Sequence, residues 1–388
     1  MSGFQVSIVR DTCVDEQVRK AINLIGGMSR FVSPGQRVLL KPNLTGPASW
    51  KKGVTTNPAV VETLMELSWE AGASVVDVGD GTGSIHIGTL EVMERCGLAE
   101  VVRKHGGHLV DLNLGPMRQL QVKGGLILKQ VQVNQTMEQY DVIINIPVLK
   151  THFITDVSLG MKNMKGCIPP IEKRRFHDIG VNQAVADLNM VIKASLTVVD
   201  GTVAAEGLGP KEGKPVGFQT VLAGENILAV DMAAASVMGF DPLEISHIRM
   251  AAEHGIGPSG LDEIEILGAD ISEVQRTFQR ALPSAPLGDQ AVIENYQACS
   301  GCIGCAAITV SRLKDMGFFE GHPERKLRIV IGTKVPEKSS GELPVFFIGN
   351  CTRIRSTNGV FIQGCAPSAL DTANEILRYY HVEDHPDI

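Results

Sequence analysis

The chain has 388 residues, 44% of them hydrophobic and 5% aromatic, and a formal net charge of −7. That length suits two or three packed domains, while the acidic balance and the scarcity of aromatic stacking platforms argue against nucleic-acid binding. Nowhere do about 18 apolar residues run together, so no membrane span is expected, and Met1–Asp11 lacks the charged and apolar regions of a signal peptide. From these readings a cytoplasmic location is expected.

Strands and helices alternate along the first part. Gln5–Arg10 is a β-branched run, and Asp15–Phe31 follows with Val18, Ile22 and Ile25 at helical spacing. Arg37–Leu40 is a buried strand ending in Lys41-Pro42-Asn43, and Pro58–Gly72 is a helix with Pro at its start and Gly at its end. Ser74–Val78 is the next strand, running into the Gly-rich segment Gly79–Ser84. Leu90–His105 is helical, Leu120–Asn134 resembles an inserted hairpin around Gly124-Gly125, and Asp141–Ile146 is a buried strand. A loop over 150–180 is expected next. Beyond it come strands at Ser195–Asp200 and Phe218–Ala223, helices at Ile227–Met238 and Pro242–His254, and a strand at Ile264–Leu267. This alternation predicts an α/β fold with a mainly parallel sheet in two lobes over residues 1–281.

A Pro-rich stretch at 282–290 reads as a linker to a small C-terminal α/β domain over residues 291–388. That domain is expected to hold a helix after residue 305, strands at Leu327–Ile331, Val345–Ile348 and Gly359–Ile362, and a closing helix at Ser368–Tyr380. Five of the eight cysteines lie here: Cys299, Cys302 and Cys305 in a C-x2-C-x2-C run, then Cys351 and Cys365. Thiolates at that spacing reach different corners of one small cuboid, as iron–sulfur ligands must. Cys351 and Cys365 each follow a strand, so parallel strands would bring both thiols to the carboxyl edge of one sheet, where α/β folds place ligands. Gly301, Gly304 and Gly364 allow backbone N–H groups to approach the sulfurs. The expected cofactor is one [4Fe–4S] cluster on four of the five cysteines. Structural zinc is the alternative, although four-Cys zinc sites commonly show two paired knuckles.

The second concentration of chemistry is basic. Between Lys150 and His177 six Lys or Arg face two acids, Asp156 and Glu172, within an acidic chain. Such a field concentrates anionic ligands, although a solvated basic loop is the plain alternative. Candidate catalytic residues are Lys150, His152, Lys162 and His177, and candidate substrate-binding residues are Lys41, Asn43, Asn163, Lys165, Arg174 and Arg175. Gly79–Ser84 could cradle a phosphate or carboxylate on its backbone amides, but it lacks the full dinucleotide and P-loop patterns.

Lys41-Pro42-Asn43, Thr56-Asn57-Pro58, Lys150-Thr151-His152, Gly160-Met161-Lys162-Asn163-Met164-Lys165-Gly166 and Val199-Asp200-Gly201 together resemble domain-of-unknown-function family 362. Ala229-Val230-Asp231 and Gly255-Ile256-Gly257 continue the likeness over roughly residues 5–270. The resemblance implies the α/β core and an association with iron–sulfur domains and anaerobic life, but no reaction. Where many relatives carry a two-cluster ferredoxin module, five cysteines imply one cluster.

The sequence thus predicts an iron–sulfur electron-transfer or reductase component with an anion-binding cleft beside its cluster. A non-redox enzyme acting on a carboxylate or phosphate compound through cluster iron is one alternative, and a metal or cluster maturation protein is another. Expected partners are a small anionic ligand or an acidic redox protein, with a homodimer as a further expectation.

Overall fold

The computed structural model describes residues 3–83, 87–280, 290–296, 298, 300–336, 344–353, 359–364, 367 and 369–382. They divide into two compact units, one of residues 1–176 and 181–281 and the other of 177–180 and 282–388.

In the first unit the elements run β1 (Phe4–Arg10), α1 (Val14–Leu24), β2 (Arg37–Pro42), α2 (Pro58–Glu70), β3 (Val75–Asp80), α3 (Thr89–Arg95), α4 (Leu98–Lys104), β4 (Leu109–Asp111), β5 (Met117–Gln121), β6 (Gln130–Asn134) and β7 (Val142–Ile146). They continue with β8 (Val148–His152), β9 (Asp156–Ser158), α5 (Gly160–Asn163), α6 (Pro170–Ile179), α7 (Val181–Val191), β10 (Leu196–Leu208), β11 (Glu212–Val216), β12 (Thr220–Gly224), α8 (Ile227–Val237), α9 (Ser246–Glu253), β13 (Ile264–Gly268) and α10 (Ile271–Val274). The main path of one sheet has the order β13-β1-β12-β10-β7-β2-β3-β4, and only β12 on it is antiparallel to its neighbours.

Rather than two lobes, this single sheet carries an apolar core on each face. Successive strand residues point to opposite faces: Leu39 joins the core with Ala184, Ala229 and Ile248 of α7 to α9, while Val38 and Leu40 join Val18, Val60 and Val102 of α1, α2 and α4. Two expected long helices are shorter. Gly26 and Gly27, at φ +105° and +81°, end α1 well before Phe31, and Gly97 at φ +83° divides Leu90–His105 into α3 and α4. Only glycine takes such angles at little cost. The hairpin expected within Leu120–Asn134 is present as β5 and β6, paired from Met117↔Asn134 to Gln121↔Gln130.

The segment expected as a loop over 150–180 is largely ordered secondary structure. The antiparallel β8–β9 hairpin leads into α5, a 3-10 turn at Met164–Cys167, and α6. Met161 and Met164, three apart, are fully buried, which leaves Lys162 and Lys165 half-buried on the adjoining face. Alternation of apolar and basic residues here marks an amphipathic helical turn.

In the second unit β14 (Ala291–Tyr296), α11 (Ser300–Asp315), β15 (Leu327–Gly332), β16 (Val345–Ile348), β17 (Val360–Ile362) and α12 (Ala369–Tyr379) form a four-stranded parallel sheet of order β14-β15-β16-β17 with two helices. Its core packs Ile329, Ile331, Phe346 and Ile348 against Ala306, Val310 and Ile376. The expected linker lies mostly outside the described residues.

Candidate functional site

At the carboxyl edge of the main sheet, β2 delivers Lys41 and Asn43, β3 delivers Asp80 and Gly81, and β7 leads into Lys150 on β8. The Lys41 Nζ donates to Asp80 Oδ1 at 2.7 Å, with both side chains buried. Asp80 Oδ2 accepts from the Leu44 N–H at 3.0 Å. Lys150 is fully buried, and its ammonium donates to Asn43 Oδ1, to Thr45 Oγ1 at 2.9 Å and to the Val54 carbonyl at 2.7 Å. All three acceptors are neutral, and burial pulls the Lys150 ammonium down to about 7.

An amide network links this edge to α5. Asn43 Nδ2 donates to Asn163 Oδ1 at 3.0 Å, Asn163 Nδ2 to Asn145 Oδ1 at 2.8 Å, and Asn145 Nδ2 to the Gly160 carbonyl at 3.1 Å. Asp231 of α8 accepts the N–H groups of Gly160 and Met161 at 2.7 and 2.8 Å, capping α5. Burial raises this carboxyl to about 7 despite both bonds. The glycines of the Gly160–Gly166 motif are contact glycines: a Cβ on Gly160 would lie 2.7 Å from Asp231 Oδ1, and one on Gly166 1.9 Å from Asp80 Oδ1. The motif's backbone is thereby pressed against the two buried carboxylates.

Along the same stretch, Lys162 and Lys165 donate no hydrogen bond among the described residues. Desolvation, then the neighbouring Lys165 and Lys150 charges, hold the Lys162 ammonium well below the usual lysine range. Lys165 sits 5.4 Å from the Phe176 ring centroid and is lowered to about 7, by desolvation and then by Lys173. Lys173 donates to the Gly81 carbonyl at 2.8 Å, to the Thr82 carbonyl at 3.4 Å and to Asn113 Oδ1 at 2.6 Å, and is lowered to about 8. Desolvation and like charge favour the neutral amines here, and a nearby anion would offset both.

Several candidates take other places. Lys41 and Lys150 do not offer themselves to a ligand, because Lys41 is buried against Asp80 and Lys150 has its donors occupied. His152 is buried, and its Nδ1 accepts from the N–H groups of Ile154 at 3.0 Å and Thr155 at 3.4 Å, so it shapes the β8–β9 turn. Arg175 is engaged by Glu172 at 3.0 Å and the Gln130 carbonyl at 3.3 Å, and Arg174 is exposed on α6. His177 is half-buried on α6.

Sequence reasoning did not single out Lys173, Asp80, Asn113, Asn145 or Asp231 as site residues. The Gly79-Asp80-Gly81 triplet was the available signal for Asp80, since a carboxylate between glycines at a strand end is free to face a neighbouring strand's lysine. It also missed His247 of α9, which is fully buried with both ring nitrogens lacking a hydrogen-bond partner among the described residues. Desolvation, then Lys162, lower this imidazole to about 3, so it stays neutral.

In the second unit Cys302 and Cys305, one turn apart near the start of α11, share a helix face and are both buried. Cys305 Sγ lies 3.4 Å from Thr372 Oγ1. At the carboxyl edge of β16, Gly349 has φ +92°, and a Cβ there would stand 2.9 Å from Cys302 Sγ. The Asn350 N–H donates to the Gly364 carbonyl at 2.8 Å, and the Gly364 N–H donates to Asn350 Oδ1 at 3.0 Å. The loops after β16 and β17 are thus tied together, with Cys302 against one of them and exposed Cys351 two residues beyond Gly349. Thiols are the soft ligand type that iron–sulfur clusters and zinc take, and among the described ones Cys302 stands against glycine backbone. Cys299 and Cys365 lie outside the described residues.

Two other features stand apart. A cavity of about 610 Å³ opens at the amino-terminal edge of the main sheet, lined in part by Phe4, Phe31, Arg30, Lys193 and His254, and not by Lys150, Lys162, Lys165 or Lys173. Glu62, Glu66 and His105 have ligand atoms within 4.8 Å of one another, but Lys104 and His105 pair with Glu62, and Arg19 with Glu66. Among the described residues no helix is long and apolar enough to cross a membrane.

A thylakoid-associated protein of Synechocystis sp. is 28% identical over 258 residues, 63% of this chain and 76% of that protein. The lactate racemase apoprotein of Thermoanaerobacterium thermosaccharolyticum is 12% identical, with 97% of this chain and 91% of that one covered at a TM-score of 0.42. A protein of Thermotoga maritima is 15% identical, with 90% of each chain covered at a TM-score of 0.40. Neither structural likeness bears on function. The family described as Domain of unknown function (DUF362) matches residues 38–236, and the chain belongs to it.

Proposed function

We propose that this protein is an iron–sulfur electron-transfer or reductase component whose core unit binds a small anionic ligand. The observation that carries the cluster is the cradle in the second unit, where buried Cys302 packs against Gly349 and the loops leading to Cys351 and Cys365 hydrogen-bond to each other. Cys299, Cys302, Cys305 and one of Cys351 and Cys365 would hold a [4Fe–4S] cluster, which when bound supplies a one-electron couple. Gly349 keeps side-chain bulk away from the Cys302 sulfur, and α11 fixes the spacing of Cys302 and Cys305.

In the core unit the Asn43–Asn163–Asn145 chain and the Asp231 cap hold α5 still, so Lys162 and Lys165 meet an anion without reorganising. The buried charges of Lys150 and Lys173 strengthen the field there. A second reading, an enzyme that uses Lys162 or Lys165 in proton transfer on an anionic compound, is favoured by the lowered ammonium of Lys165, which exchanges a proton near neutral pH.

Anaerobically purified wild type and Cys302→Ser, compared for bound iron and for an EPR signal with and without dithionite, test the cluster. The proposal expects a reducible signal in wild type and loss of most iron in the variant. Equal iron in both would refute the ligand assignment.

A further inference from the structure

Lys162 and Lys165 stand three residues apart on the helical stretch Gly160–Cys167, half-buried, and donate to no acceptor among the described residues. Each ammonium offers three donors. Behind them Lys150 and Lys173 are hydrogen-bonded only to neutral oxygens. Carboxylates near the array are Asp80, paired with Lys41, Asp200 on the side of Lys150, Asp111 on the side of Lys173, Asp231 on the Gly160 and Met161 N–H groups, and Glu172, paired with Arg175. Lysines thus crowd this stretch in a partly desolvated setting.

The chemistry of the donors narrows the anion further. A carboxylate presents two oxygens in a plane and is matched by the planar fork of arginine. Here Arg175 is engaged by Glu172 and Arg174 is exposed on α6, so the open donors are both ammoniums. Compact point charges suit the tetrahedral oxygens of a phosphoryl group. We infer that the Lys162–Lys165 face takes a phosphoryl group bearing at least two negative charges, a phosphate monoester or diphosphate on a small molecule, in preference to a carboxylate. This rests on the anion-binding reading of the core unit.

Isothermal titration of the full chain with pyrophosphate, inorganic phosphate, malonate and acetate, at pH 7 and constant ionic strength, tests the inference. Pyrophosphate is expected to bind tightest, phosphate next, and malonate and acetate more weakly. Lys162→Ala and Lys165→Ala should each weaken pyrophosphate roughly tenfold to a hundredfold, the loss of one charge-assisted hydrogen bond, while Arg174→Ala leaves it unchanged. Should Lys162→Ala lose its native circular dichroism, Lys162→Gln keeps the stem and removes the charge. Malonate bound as tightly as pyrophosphate would overturn the phosphoryl preference and leave anion binding standing. Binding of none of the four would overturn both.

Discussion

Substituting Gly166 by Ala puts a methyl group where the core unit has no space. The added Cβ would stand 1.9 Å from Asp80 Oδ1 and 2.6 Å from Lys41 Nζ, the two ends of a buried ion pair closed at 2.7 Å. Neither end can swing into solvent, because both side chains are buried, and Asp80 is also fixed by the Leu44 N–H. Either the pair opens or the Gly160–Cys167 backbone moves off its cap. Opening a buried pair costs about 3–5 kcal/mol, which for a unit of this size is a fall in melting temperature of roughly 6–20 °C. Trp50 and Trp69, the only tryptophans, both lie in the core unit, so their fluorescence during urea unfolding reports on it alone. Gly217→Ala is the control, since a Cβ there meets nothing within 4 Å. A loss below about 1 kcal/mol for Gly166→Ala, within the ordinary range of single substitutions, would refute the close packing of this motif on the ion pair.

Two further outcomes follow from the same region. Asp231→Ala strands the N–H groups of Gly160 and Met161, so it should destabilise the core unit by about 2–5 kcal/mol, read by urea titration; a cost near zero would mean that the cap is dispensable. Lys165 is lowered to about 7 in the native state from an ordinary lysine near 10.5, so between those values the unfolded chain binds more protons, and this residue adds stability as pH rises. Lys165→Met should therefore gain on wild type at pH 7, with the gain shrinking toward pH 10. A stability difference that is flat with pH would show that the ammonium is not desolvated.

Alternation of β-branched runs with amphipathic stretches made the parallel sheet and most of its strands legible, because burial on both faces leaves continuous apolar segments such as Val142–Ile146. What escaped were features decided by contacts distant in sequence. Nothing local to Lys41 or Lys150 says that they are buried, since Asp80 lies 39 residues from Lys41 and Asn43 lies 107 from Lys150. The helical turn at 160–167 was hidden because its glycines and lysines read as a loop, while the cap that makes it a helix sits on Asp231, about 70 residues downstream. Strand β11 was missed because Glu212-Gly213-Lys214-Pro215-Val216 has weak strand propensity and is held by pairing to β10. The cysteine run was expected to precede its helix, whereas α11 begins at Ser300 and carries Cys302 and Cys305 within its first turns, packed among apolar residues.

Iron and acid-labile sulfide counted per chain in anaerobically purified protein test the central claim most directly. The account predicts about four of each for a single [4Fe–4S] cluster. About one zinc per chain with no sulfide would contradict it.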